Sequence, residues 1–196
     1  LLCTVLAVVY GVVHDQVTAR VSLEYFTVAH PPIFGTTSPA ALGVLWGAPA
    51  TAGIGLLFGI LLAQASQSPG LPPVSLAALT TKIAALLSAT AGAALAAGLL
   101  GFALSRHAIV ELDPAWNDLL SPSQQNRFVA VWFAHGASYL CGVVGATLMV
   151  VQIWNCRRRP ALFTLYPQSR GEFLRVGIVI LVAVVIFWLR LSVSLY

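Results

Sequence analysis

Residues 75–104 read SLAALTTKIAALLSATAGAALAAGLLGFAL, thirty residues with a single charged side chain, Lys82. At ~1.5 Å per residue a helix of this length reaches about 45 Å, beyond the ~30 Å hydrocarbon core of a bilayer. Such a helix crosses a membrane with length left over for tilt or protrusion. Its middle, residues 88–98, is nearly all Ala and Gly. Small residues let neighbouring helices approach closely, which puts this span at the centre of a bundle.

The same character extends through the chain. Apolar runs cover about residues 1–20, 40–65, 75–104, 128–154 and 176–194. Of 196 residues 59% are hydrophobic and only 8% charged, against roughly 25% charged in soluble domains. A water-soluble fold could not cover its surface with so few charges. Backbone groups in lipid must bond internally, so the spans are helices; the short alternating segments of a membrane β-barrel are not visible. The expectation is an all-α polytopic transmembrane helical bundle forming a single integral membrane domain over residues 1–196. Four spans make its core. The fifth, rich in Val, Ile and Leu, is more peripheral.

Local signals refine this layout. Gly43 and Gly47, then Gly55 and Gly59, sit four apart, as do Ala134, Ser138, Gly142 and Ala146; both sets offer helix-packing faces. Ser38 and Pro39 suit a helix cap and first turn, and Pro49 predicts a kink. The His30-Pro31-Pro32 run stops any helix before it. Residues 1–13 read as a genuine first span rather than a secretory signal. Cys3, Cys141 and Cys156 show no paired spacing and read as free thiols.

The loop after the fourth span carries Arg157, Arg158, Arg159, Arg170 and Arg175. Basic loops stay cytoplasmic, so Arg157, Arg158 and Arg159 read as lipid-facing topology residues rather than as a face for nucleic acid. Counting back through five spans leaves the N-terminus cytoplasmic and loops 1–2 and 3–4 extracytoplasmic. All four histidines (His14, His30, His107 and His135) then gather at or near the outer face. Asp15, Glu24, Glu111, Asp113 and Asp118 join them.

His107 and Glu111 stand four apart. On a helix continuing past Leu104 both point to one face, and an imidazole with a carboxylate can bind Zn, Mn or Fe. With His135 and His14 they make a candidate metal set. Asp15, Glu24, His30 and Tyr139 would surround these ligands and orient them. Plainer readings stand beside this one. His107 and Glu111 suit a solvated pair at a helix end. His135 suits a hydrogen bond to a facing helix, and Arg20 with Glu24 an i, i+4 salt bridge. His14 and Asp15, as neighbours, point about 100° apart on a helix and do not form one face on their own. There is no GxSxG elbow, P-loop or GxGxxG.

The run HDQVTARVSLEYFTVAHPPIF at residues 14–34, with GTTSP after it, resembles a stretch in a family of uncharacterised bacterial membrane proteins of a few spans. The resemblance covers mainly residues 10–40, with looser similarity at WFAHGASY, residues 132–139. It implies a location in the bacterial cytoplasmic (inner) membrane and carries no activity. The fifth span goes beyond that family's pattern.

Three functional readings follow. The first is a non-enzymatic accessory or interaction protein, in contact with lipids and with another membrane protein or a second copy of itself. The second is a metal-binding membrane protein or metalloenzyme that uses the outer His/Glu/Asp cluster. The third, a small-solute or ion transporter, has little support, because charges deep in the spans are nearly absent.

Overall fold

A computed structural model describes residues 1–116 and 118–158. All regular structure among them is helical: α1 (Leu2–Val21), α2 (Glu24–Thr27), α3 (Pro39–Gln67), α4 (Leu76–Arg106) and α5 (Pro122–Arg158), with a 3-10 turn at Pro114–Trp116. Four of these, α1, α3, α4 and α5, are long and apolar enough to cross a membrane. The bundle expected from composition is therefore present. The fifth span expected at residues 176–194 lies outside the described residues, as do Arg159, Arg170 and Arg175.

Helix ends follow from local chemistry. Ser38 and Ser75 cap α3 and α4 through their hydroxyl oxygens, which accept from the Ala41 and Ala78 amides; Pro39 opens α3 as its first residue. Such caps satisfy amides that the first turn leaves without partners. Helix α3 runs on through Pro49 as one element. Helix α4 stops at Arg106, where Ala108 takes a φ of 52°, a left-handed conformation that a helix cannot continue through.

Glycines decide the packing. A methyl group at Gly47 would sit 2.5 Å from the Gly11 carbonyl oxygen, and one at Gly55 would meet Ala7 at 2.7 Å. Helices α1 and α3 thus run antiparallel at close range, so the small-residue face of α3 finds its partner in α1. The α4–α5 pair is built the same way, with Gly101 against Phe133 and Gly145 against Leu86. On α5 the close approach falls at Gly145. A methyl group at Gly142 would meet nothing within 4 Å, so that part of the expected stripe faces open space.

Two apolar clusters close the ends of the bundle. Leu62, Leu86 and Met149 belong to one. Phe128 and Phe133 belong to the other, where Val110, Leu112 and Leu120 of the α4–α5 connection fold onto them.

Arg157 departs from its expected lipid-facing place. It is 4% exposed, and its guanidinium donates to the carbonyl oxygens of Ala65, Ser68, Leu71 and Pro72 at 2.7–2.8 Å. The last carbonyls of α3 have no partner within their own helix and carry the negative end of its dipole. Arg157 takes the Ala65 carbonyl from this last turn, with those of the cap Ser68 and of Leu71 and Pro72 beyond it, and so ties the end of α5 to the α3–α4 turn. Arg158 remains exposed and lies over the Trp154 ring at 4.3 Å.

Replacing Arg157 by Met should strand four carbonyls and destabilise the bundle by about 2–4 kcal/mol. Lys at the same position should recover only part of the loss, because an ammonium cannot span four acceptors. Reversible unfolding in mixed detergent micelles measures both.

Candidate functional site

The site begins with the unbroken run of α1. His14 and Asp15 lie inside that helix, about seven residues or ~10 Å before its end at Val21. The apolar stretch that precedes them and the polar stretch that follows form one element. Gly11, Asp15 and Thr18 are all buried on it, at the spacing of a single helix face.

His135 enters from α5. Its Nδ1 lies 2.9 Å from the Val131 carbonyl oxygen, one turn back on its own helix. A carbonyl only accepts, so Nδ1 carries the proton and donates. Nε2 then faces Asp15 Oδ1 at 3.2 Å, with the two side chains 4% and 7% exposed. A neutral imidazole nitrogen and a carboxylate oxygen both present lone pairs, so a proton or a cation must lie between them.

His14 completes the group. Its ring meets His135 edge-on with centroids 4.7 Å apart, and Tyr10 stacks on its other side at 5.8 Å. His14 Nε2 is buried and has no hydrogen-bond partner. His14, Asp15 and His135 each offer one ligand atom, and the three atoms lie within 4.8 Å of one another. Neighbouring positions that diverge by about 100° on α1 thus converge on a ring inserted from another helix.

The chain folds back over this group. Helix α1 ends because Ser22 is extended, with φ −140° and ψ 104°. The next turn, α2, lays the Tyr25 ring on His135 at 4.5 Å, nearly parallel, and buries Phe26 with Ala19 and Leu42. Burial pushes the Tyr25 hydroxyl well above the usual tyrosine range, with Tyr139 and Asp15 adding to it, so the cover stays neutral.

The break at Ser22 also undoes the expected Arg20–Glu24 pair. Arg20 donates instead to the Gln16 side chain at 2.7 Å. Glu24 accepts from Ser22 and, across to α5, from Gln124 at 2.7 Å.

Of the expected metal set, His14 and His135 come together. His107 and Glu111 do not join them: His107 is the exposed C-cap of α4, and the left-handed Ala108 ends the helix that was to align the pair. Asp15, expected around the ligands, is in direct contact with His135. Glu24 is engaged with Ser22 and Gln124 instead. The Tyr25 carbonyl oxygen can only accept, so His30 Nδ1 donates to it at 2.7 Å, and the His30 ring packs on Trp46. The Tyr139 ring lies 6.0 Å from His135. Tyr10, hydrogen-bonded to Ser138 at 2.8 Å, and Tyr25 are the contributors that sequence reasoning missed. An acid within an apolar run, four residues after a glycine, was the signal for Asp15.

Beside the cluster a cavity of about 320 Å³ extends between α1, α3, α4 and α5. Tyr10, His14, Asp15 and Ser138 stand at one end; Leu62, Leu86 and Met149 line the other.

Comparison with protein-family models, with curated proteins and with solved structures returned no match.

Burial pushes the Glu24 carboxyl up, but its own backbone amide, Ser22, Gln124 and the charge of Arg127 outweigh this and hold it below its usual value. The folded carboxyl is therefore the stronger acid. Its contribution is full above the unfolded pKa and is lost as pH falls through the folded one. Hydrogen exchange of residues 22–27 should accelerate as pH drops into the carboxylate range, after correction for intrinsic rates. A Glu24→Gln variant should flatten that pH profile.

Proposed function

We propose that this chain is a metal-binding protein of the bacterial cytoplasmic membrane, with one transition-metal ion held by His14, Asp15 and His135. The buried, unpartnered Nε2 of His14 carries the reading. A proton between His135 and Asp15 would satisfy those two groups and leave His14 with nothing. One cation among the three donors satisfies all of them. Donors sharing an ion at ~2.0–2.2 Å lie about 3–4 Å apart, so the observed spread of up to 4.8 Å closes with small side-chain adjustments.

Two imidazoles and one carboxylate suit Zn²⁺, Mn²⁺ or Fe²⁺. The Val131 carbonyl supports the assignment, since it holds His135 with Nε2 toward Asp15, as the outer partners of ligating histidines do. Three protein ligands leave a coordination position open for a small molecule. The charge distribution of the loops favours an orientation with the N-terminus in the cytoplasm and the cluster in the outer half of the membrane.

The direct Asp15–His135 contact favours a second reading, that of a non-enzymatic accessory protein in which the pair only ties α1 to α5. Elemental mass spectrometry of the purified protein, reloaded in turn with Zn²⁺, Mn²⁺ and Fe²⁺, separates the two. The metal reading expects about one ion per chain, falling below about a tenth in His14→Ala and in His135→Ala variants that remain monodisperse and helical. Less than about a tenth of an ion in the reloaded parent protein would leave the accessory reading in possession.

A further inference from the structure

The cavity beside the cluster has walls, an opening and a polarity that together specify a class of ligand. Its volume of about 320 Å³ falls at the lower end of the ~300–1,000 Å³ typical of small-molecule sites. Ala50, Ile54, Tyr139 and Val143 line it and are exposed, so the mouth lies between α3 and α5. Ala50 and Ile54 are close to the middle of the 29-residue α3. The opening therefore faces the hydrocarbon interior, and what enters must be dissolved in lipid.

Polarity is graded along the cavity. Beyond the cluster the walls are apolar, and the hydroxyls there are already engaged: Thr51 donates to Gly47 and Thr90 to the Cys141 sulfur. Tyr10 and Ser138 bond each other. Among the described side chains that line the cavity, His14 Nε2 is the buried polar atom without a partner. A ligand matching these walls has an apolar body that fits about 320 Å³ and one hydrogen-bonding head.

We propose that the cavity takes a single-chain alkyl amphiphile, a long-chain alcohol or fatty acid, which enters laterally between α3 and α5 and sets its head against the cluster. A hydroxyl or a protonated carboxyl both donates and accepts, so it satisfies His14 Nε2 in either tautomer. With the ion proposed above in place, the same oxygen meets the open coordination position, and in that state the inference rests on the metal reading.

The test uses the protein in vesicles of phosphatidylethanolamine and phosphatidylglycerol, with hexadecanol and palmitic acid carrying a mid-chain diazirine as the two probes. Photolabelled residues are mapped by mass spectrometry. Labels should concentrate on Phe58, Leu86 and Met149 in the cavity rather than on outward-facing Val5, Val9 and Leu95, and whichever probe labels more strongly identifies the head. Gly142 lines the cavity, and a side chain there meets no neighbour within 4 Å, so Gly142→Leu fills the space from within. Cavity labelling should fall about tenfold in that variant, and also in Ile54→Trp, which narrows the mouth. Labelling spread evenly over cavity and outward-facing residues would overturn the proposal; so would cavity labelling unchanged in both variants. Even labelling is the result expected if bilayer acyl chains fill the gap without selection, and labels confined to outward-facing residues, the result expected if the gap is already filled, would overturn the proposal as well. Metal content measured on the same samples separates these outcomes from failure of the metal reading, because neither substitution touches His14, Asp15 or His135.

Discussion

Backbone meets backbone where α1 crosses α3, at Gly11 and Gly47. No side chain fits between them. In lipid there is little hydrophobic gain from helix association, so contact of this kind supplies much of the attraction. It also fixes rotation. Once Gly11 faces α3, the turn that follows directs Asp15 inward, and His14 is carried toward α5. The position of two ionisable groups inside an apolar bundle is thus a consequence of where glycines stand one turn earlier.

A bilayer interior forces every polar group to find its partner within the chain. At the end of the bundle that holds the α3–α4 turn, Arg157 meets this demand without an acid. Four carbonyl oxygens take its guanidinium donors, and they are the groups that a helix end and a turn leave over. Around the cluster the same demand is met for His135 by Val131 and Asp15, for Tyr10 by Ser138 and for Glu24 by Ser22 and Gln124. Against that background, the unfilled His14 nitrogen is informative. Burial without a partner is expensive, and it falls beside two other groups able to share a cation and at the polar end of a cavity.

Parts of the site were legible in the chain. His14 and His135 belong to the candidate metal set because the count of spans gathers all four histidines at or near the outer face. The error at His107 and Glu111 came from extending α4 by one turn. Nothing in the local sequence announces that Ala108 will adopt a left-handed conformation; the turn is imposed where Val110 and Leu112 fold onto Phe128 and Phe133. Neighbouring residues diverge on a helix, which by itself places Asp15 around the ligands rather than among them. That argument holds for one helix against a flat surface and fails when a third side chain comes between the two.

What the sequence determined by itself is the solvent and the class of fold. Long apolar runs with few charges require lipid, and lipid requires backbone bonds closed within each segment, so the helices and most of their ends follow from composition and from Ser, Pro and Gly at the boundaries. Which faces meet was decided only in the tertiary structure. Packing depends on pairs of surfaces, and a glycine stripe states that a partner can approach without stating which one. The assignment of α1 to α3, the meeting of His14, Asp15 and His135 across residues more than a hundred positions apart, and the gap left at Gly142 all arise from how four helices divide a limited number of small-residue contacts among themselves.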